Sequence, residues 1–353
     1  MKSLCTHFGT CGGCSFQNMS QDEYLQMKRG TVQDALARHG FDDVHVDMPV
    51  AVSPHTRRRA TLAFAMQGGE AKIGFHAARS HDMVDMRECL VLTPPLVSLI
   101  LSFRSLVPSL VRANQQGELR LTECDNGIDL AMVLPRKIES ALLPAFADWA
   151  KRNNVARIVV NNDIAAQFVE PVVQLADVEV VIPPDSFLQP SREGEQILQD
   201  AVTDALARTT RVVDLFAGCG TFTFAAARRA SVHAVDSDRK AIAALQDAAR
   251  KARKLKPVTT EVRNLFNLPL QPTELAPFGA AILDPPRAGA LAQVTMLANS
   301  SMRRLAYVSC NPESFARDAR ILAAKNFRIA WVKPVDQFLW SSHIELVALL
   351  ERH

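Results

Sequence analysis

No run of eighteen apolar residues occurs anywhere in the 353-residue chain, and its opening stretch, MKSLCTHFGT, lacks the apolar core of a secretory signal. Membrane-spanning and exported classes are thereby set aside, and the expectation is a soluble, cytoplasmic, monomeric protein. In a reducing compartment the seven cysteines are not expected to pair as disulfides. Internal repeats and low-complexity segments are missing too. Charge of either sign is scarcely in excess: 40 Lys and Arg stand against 37 Asp and Glu, a formal net charge of +3. That balance neither demands nor excludes nucleic acid. What the chain does have is a hydrophobic content of 48%, enough for a sizeable core, and a length that suits two or three domains.

Basic residues cluster locally in HTRRRA at 55–60, ARRA at 227–230 and ARKARKLK at 249–256. The last falls on a helical pattern and reads as a solvated face. Arg57 to Arg59, at the start of a strand, are the better candidates for RNA phosphates. From about residue 211 short apolar runs alternate with helical periodicity: RVVDLFAG, SVHAVD, VTTEVRN, GAAILDPP, RLAYVSC, FRIAWVKPV and HIELVALLE. Such alternation predicts a parallel sheet covered on both faces by helices. The last two runs are joined by DQFLWSS with no helix between them, which predicts a closing antiparallel edge. Residues 47–182 differ. Hairpins are predicted about Gly68-Gly69 and Asn126-Gly127, with helices near 94–112 and 138–152, so this part is a smaller β-rich domain. Residues 17–39 form one amphipathic helix.

Absences also narrow the chemistry. In VVDLFAGCGTFTFAAA a strand runs through a tight turn at Gly218 and Gly220 into a helix, and Asp236 ends the next strand. Backbone can approach a ligand closely at such a turn, and the carboxylate can accept two ribose hydroxyls. The third glycine of the dinucleotide fingerprint is missing and no Walker lysine follows, so S-adenosylmethionine fits better than NAD or ATP. Asp284, in AAILDPPRAGA, ends a strand at the same crevice. Arg287 stands where an amine methyltransferase usually carries an aromatic residue, and no cysteine lies beside the prolines, as it usually does in cytosine-C5 enzymes.

A thiol closes the argument. In LAYVSCNPESFARD, Cys310 ends an apolar run immediately before Asn311 and Pro312, an N-cap and first-turn pair. The positive end of a helix predicts a thiol pKa below the free value of about 8.5. A thiolate beside a flat pyrimidine adds to ring C6 and makes C5 nucleophilic, after which a base must remove the C5 proton. Glu345, inside the apolar SSHIELVALL, is the candidate base; a carboxylate facing solvent on a final edge strand is the competing reading. Cys124 and Cys219 are read as buried packing residues. Separately, CTHFGTCGGC places Cys5, Cys11 and Cys14 in a C-x5-C-x2-C array, with Cys89 of MRECLVL as the natural fourth thiolate. Four thiolates suit a [4Fe-4S] cluster or a structural zinc, and spacing does not choose between them.

The segments DLFAGCGTFTF, LDPPRAGA, VSCNPESFARD and DQFLWSSHIELVALL, with DSFLQPSREGE at 185–195, resemble the successive motifs of the RNA (uracil-C5)-methyltransferase family over nearly the whole chain. The resemblance implies an α/β architecture: a Rossmann-like class I S-adenosylmethionine-dependent methyltransferase domain at 183–353. A smaller α+β, β-rich RNA-binding domain at 47–182 contributes Cys89, a cysteine loop occupies 1–16, and a helix at 17–46 packs on the catalytic domain. It implies Cys310 as nucleophile and Glu345 as proton acceptor. It also implies cofactor contacts from Gln189, Phe216, Gly218 and Asp236, Asn264 near the adenine, and Asp284 at cofactor and base. Ser191 and Thr221 stand where the family often has Asn, and Asn264 where an acidic residue is common. Members with this cysteine spacing hold a [4Fe-4S] cluster, which favours iron over zinc. Those without an amino-terminal RNA-binding barrel resemble ribosomal RNA enzymes, so 23S rRNA is the expected substrate, with tRNA the alternative. A non-catalytic iron-sulfur RNA-binding or redox-sensing protein on the same fold is the rival class, against which intact Cys310, Glu345 and Asp284 argue.

Overall fold

A computed structural model of the protein describes residues 5–78, 80 and 82–352. The first four residues of the expected 1–16 cysteine loop lie outside the described residues. The seven runs from residue 211 onward form, with Val50–Ala51, one eight-stranded sheet. Its order is Val258–Val262, Ser231–Asp236, Arg211–Leu215, Ala280–Leu283, Arg304–Ser309, Glu345–Glu351, Arg328–Asp336 and Val50–Ala51. Strand order reverses between Arg211–Leu215 and Ala280–Leu283, the place where an open α/β sheet leaves a crevice at its carboxyl edge.

Both faces of the sheet's inner strands are buried, which is why those strands read as near-continuous apolar runs, unlike the edge strand Val258–Val262. Successive residues feed opposite cores. Val213, Leu215 and Tyr307 pack with helices Gln21–Arg38, Leu291–Ala298 and Pro312–Ala323, while Val212, Ala306 and Val308 pack with Arg192–Leu206 and Thr221–Ala227. The first of these helices begins at Ser20, whose hydroxyl accepts from the Glu23 amide while the Glu23 carboxylate accepts from the Ser20 amide. Its buried stripe, Tyr24, Lys28, Val32, Ala35 and Leu36, follows helical spacing, and Val32 and Leu36 join the core of the large sheet.

The expected closing edge is different in position. Glu345–Glu351 is antiparallel to both Arg304–Ser309 and Arg328–Asp336 and lies between them, so it is an interior strand. The loop at 337–344 carries the chain back into the sheet rather than outward, and the edge beyond Arg328–Asp336 is filled by Val50–Ala51.

A second, six-stranded sheet runs Glu70–Gly74, Arg59–Gln67, Gln116–Cys124, Gly127–Val133, Val155–Val160 and Asp163–Gln167. Its core is closed by helices Pro94–Phe103 and Leu143–Arg152. Gly68 and Gly69, both at positive φ (60° and 82°), make the first hairpin turn. The second turn sits one residue earlier than expected, at Asp125-Asn126, because Gly127 already pairs with Cys124. The boundary expected at 47 also moves: Val46, Val50 and Ala51 pair with the catalytic sheet. A two-residue strand is too short to show periodicity in sequence. Likewise, the hairpin of Val172–Leu175 and Val178–Val181 packs with Ala217, Phe224 and Leu245 of the catalytic half. Among the described residues no helix is long and apolar enough to cross a membrane.

Candidate active site

The carboxyl edge of the large sheet and the facing β-rich body enclose a cavity of about 760 Å³. Phe216, Gly218, Asp236, Asp284, Cys310 and Glu345 line it from the catalytic side, with Gln189 from the segment that enters that domain. Arg57, Arg59 and Arg120 line it from the other body. Phe216, Gly218, Asp236, Asp284 and Cys310 arrive at the carboxyl end of a parallel strand or in the turn after it, and Glu345 reaches the same edge as the first residue of the antiparallel strand.

The glycine turn is built for close approach. Phe216 holds φ at +67°, a sparsely populated region for a bulky residue, and Gly218 follows at +54°. A Cβ on Gly218 would meet nothing within 4 Å, so the space beside it belongs to the cavity rather than to packing. Gly220 is different: a Cβ there would lie 2.6 Å from Phe224. The Gly218 amide donates to Asp236 Oδ2 at 2.9 Å and the Asp238 amide to Oδ1 at 2.8 Å, which fixes the Asp236 carboxylate while leaving each oxygen a further lone pair.

Three carboxylates converge beneath this turn. Burial, then the charges of Asp214 and Asp236, push Asp284 up to about 7. Asp214, fully buried, is pushed up to about 7 by burial, and Thr223 donates to its Oδ2 at 2.5 Å while Oδ1 has no partner. An unpaired acidic crevice of this kind is stabilised by a bound cation, and a ligand carrying a sulfonium and an ammonium group supplies two.

Cys310 sits where the sequence put it, between Arg304–Ser309 and the helix Pro312–Ala323. Asn311 caps that helix, its Oδ1 accepting from the Glu313 amide at 3.2 Å, and its Nδ2 donates to the Arg287 carbonyl at 3.0 Å, tying two strand ends together. The expected lowering of the thiol is not found. Burial, and then the negative fields of Glu345 and Asp284, push it up to about 11, against weaker opposing effects of a backbone hydrogen bond and Arg287. A helix end acts over one turn only, and here burial and then the two carboxylates act against it.

Glu345 does not face solvent. It is buried, pushed up to about 8 by burial and by Asp284, and held by Gln337 Nε2 at 3.2 Å from Oε2. The same Gln337 nitrogen donates to Gln189 Oε1 at 2.7 Å, and Gln189 Nε2 reaches Asp284 Oδ2 at 3.4 Å. A chain of side chains thus joins Glu345, Gln337, Gln189 and Asp284. Gln337 was hidden in the sequence inside a loop that reads as a mere connector.

Asn264 is not among the cavity-lining residues; its Oδ1 caps a turn, accepting from Phe266 and Asn267 at 3.0 and 3.3 Å. The cavity is instead lined by the exposed Phe266, tilted against Phe216 with ring centroids 5.4 Å apart. Ser191 caps helix Arg192–Leu206, accepting from the Gly194 amide at 3.0 Å, and the Thr221 carbonyl accepts from Gln199. The basic triplet splits by strand alternation. Arg58 is buried in an ion pair with Glu195 at 2.7 Å and is unavailable to RNA, whereas Arg57 and Arg59 point into the cavity. The Arg57 guanidinium lies over Phe338 and that of Arg59 over the exposed Phe187, 5.7 and 5.0 Å from the ring centroids.

Cys124 and Cys219 are buried, while Cys5, Cys11, Cys14 and Cys89 are half-buried. The cysteine loop is pinned between the two bodies. The Gly12 amide donates to the His76 carbonyl at 3.0 Å, and the Ser15 and Phe16 amides donate to the Trp340 carbonyl at 2.6 and 3.1 Å. Burial and the fields of Cys89, Cys11 and Cys5 push Cys14 up to about 11, so the four sulfurs lie within each other's electrostatic reach. The expected metal centre is nonetheless not assembled: among the described residues, no three His, Cys, Asp or Glu side chains form a metal-holding group.

Sheet order, glycine turn and acidic crevice together define a class I S-adenosylmethionine-dependent methyltransferase. The family model described as tRNA (uracil-5-)-methyltransferase matches residues 148–353. An uncharacterized RNA methyltransferase of Brucella suis is 38% identical over 348 residues, covering 99% of this chain and 84% of its own. The 23S rRNA (uracil(1939)-C(5))-methyltransferase RlmD of Shewanella baltica is 30% identical, covering 98% and 81%. The crystal structure of Pyrococcus abyssi tRNA (uracil-54, C5)-methyltransferase with S-adenosyl-L-homocysteine shares the fold, with a TM-score of 0.78 at 24% identity over 98% of this chain and 86% of that one. The chain belongs to the RNA (uracil-C5)-methyltransferase family and is an S-adenosylmethionine-dependent enzyme.

Proposed function

We propose that the enzyme methylates C5 of a uridine in 23S rRNA through a covalent adduct between Cys310 and uracil C6. The convergence of Cys310, Asp284 and Glu345 on one cavity carries this reading. The bound cofactor supplies an electrophilic methyl group and a positive sulfonium. Gly218, Asp236 and Asp284 would hold it, and the Phe216 and Phe266 rings at the same cavity would offer the adenine an apolar surface.

Because the Cys310 thiol is pushed up, loss of its proton to water in the cavity is part of the reaction. Positive charge bound against Asp284 offsets one of the fields that raise it. The Cys310 thiolate then bonds to C6, and the C5=C6 electrons move toward C5 and O4. C5 so activated would accept the methyl group that the cofactor supplies, the S–CH3 bonding pair staying with the cofactor's sulfur. Glu345 removes the C5 proton, the C5=C6 bond re-forms, and the Cys310 sulfur departs with its electron pair. Glu345 must be ionised for that step, and Gln337 favours its charged form. Arg57, Arg59 and Arg120 are placed for phosphates of the target strand.

The ribosomal assignment is supported by the relative from Shewanella baltica. The family description and the Pyrococcus abyssi structure name tRNA instead. Mass-spectrometric mapping of 5-methyluridine in rRNA and tRNA from a deletion strain separates them: loss confined to tRNA overturns the ribosomal reading. We also propose that Cys5, Cys11, Cys14 and Cys89 hold a [4Fe-4S] cluster, with structural zinc as the alternative. Support comes from the C-x5-C-x2-C array, whose sulfurs lie within electrostatic reach of Cys89 on a second segment. Cys310 and Glu345 leave no step in methyl transfer for such a cluster, so its role is structural or in placing RNA.

A further inference from the structure

An ammonium group lies fully buried in the apolar stripe of helix Gln21–Arg38, where nothing in the packing calls for it. Lys28 Nζ contacts Asp336 Oδ1 at 2.8 Å, with side chains 1% and 0% exposed. It also donates to the His343 carbonyl and, at 3.5 Å, to that of Phe338. One turn earlier, the Tyr24 hydroxyl donates to Asp336 Oδ2 at 2.6 Å and accepts from the Trp340 amide at 2.7 Å. Two residues of one helix therefore grip the 336–343 loop at both ends and in the middle. That loop holds Trp340 at a left-handed φ of 57°, and it carries Gln337, which joins Glu345 to Gln189.

A buried ion pair is a poor source of stability, since well-packed apolar side chains often do as well; its attested use is to select one arrangement among several. Lys28 does not line the cavity. From these contacts, and resting on the uridine-C5 methylation reading above, we propose that Lys28 is a positioning residue for the reaction: through Asp336 and the loop carbonyls it sets Gln337, and so the orientation of Glu345. Helix Gln21–Arg38 is thereby a part of the active site's support rather than only a cover for the sheet.

The test compares the full-length wild type with Lys28→Met and with Lys28→Met/Asp336→Asn, the second removing both charges so that none is left buried alone. The double variant is expected to recover most of the melting temperature lost by the single one and to bind S-adenosylmethionine as the wild type does. Its kcat should nevertheless fall about 10- to 100-fold, the usual cost of a misplaced catalytic group. The KM for RNA should be little changed, and a denaturation-stable RNA adduct should build up because proton removal has become slow. Tyr24→Phe, which loosens the same loop without touching a charge, should show the same pattern more weakly and carries the test if the Lys28 variants do not fold. A double variant, or Tyr24→Phe in its place, with wild-type kcat and no adduct overturns the proposal. Wild-type protein that yields neither 5-methyluridine nor an adduct with 5-fluorouridine RNA refutes instead the methylation reading beneath it.

Discussion

Gln337 holds Glu345 by a single amide hydrogen bond, Nε2 to Oε2 at 3.2 Å, while its own Oε1 is buried without a partner. That bond favours the ionised form of Glu345, against burial and the Asp284 charge that favour the neutral one. Gln337→Leu removes it, so the Glu345 pKa should move higher still. The alkaline rise of kcat in a pH–rate profile is expected to shift to higher pH, with kcat at pH 7 reduced and cofactor binding retained. An unshifted profile would show that the bond does not tune the base.

Stability should depend on pH through the same cluster. Glu345 is raised from 4.5 to about 8, and Asp284 and Asp214 from 3.8 to about 7. Each binds a proton more readily in the folded chain than in the unfolded one. Their stabilising contribution is therefore fully present below about pH 4 and is lost as pH rises through 7 to 8. Glu345→Gln cannot ionise, so it should melt above the wild type by a few degrees at pH 8.5, with the difference closing near pH 4.5. Calorimetry at the two pH values checks this; a variant less stable than the wild type at pH 8.5 contradicts it.

The sequence made some of this plain and hid the rest for physical reasons. Strands buried on both faces leave apolar runs, so the inner strands of the large sheet from Arg211 onward were visible, and so was Cys310 between its strand and an N-cap. Strand order left no such trace: nothing local distinguishes an outer Glu345–Glu351 from one inserted between two others. Electrostatics was misjudged because the helix end is adjacent to Cys310 in sequence, whereas Asp284 and Glu345 reach it only through the fold. Gln337 and Lys28 were illegible for the same reason. Gln189, which Gln337 joins to Glu345, lies 148 residues from it, and Asp336 lies 308 residues from Lys28.

Metal content can be read independently of activity. Anaerobically purified protein is expected to be brown and to hold about four irons per chain. Ser replacements at Cys11 or Cys14 should abolish the colour. Because the Ser15 and Phe16 amides bond to Trp340, these variants should also lose part of their RNA affinity or activity. Stoichiometric zinc and no iron after anaerobic reconstitution would refute the cluster.

The two residues that handle the uracil should fail in opposite ways. Cys310→Ala removes the atom that bonds to C6, so both methylation and any covalent RNA complex should vanish, with S-adenosylmethionine binding preserved because Gly218 follows, and Asp236 ends, other strands. Glu345→Gln leaves addition and methyl transfer possible but blocks proton removal. Methylated RNA should therefore remain bonded to Cys310 through denaturing electrophoresis. Wild-type protein should form the same trap on 5-fluorouridine RNA, since fluorine cannot leave as a proton. An active Cys310→Ala enzyme would defeat the nucleophile assignment. Glu345→Gln turning over at the wild-type rate without an adduct would move the base elsewhere, and the structure narrows where. Asp336 is locked by Lys28 and Tyr24, and neither it nor His343 lines the cavity, which leaves Asp284 as the remaining carboxylate there close to Cys310.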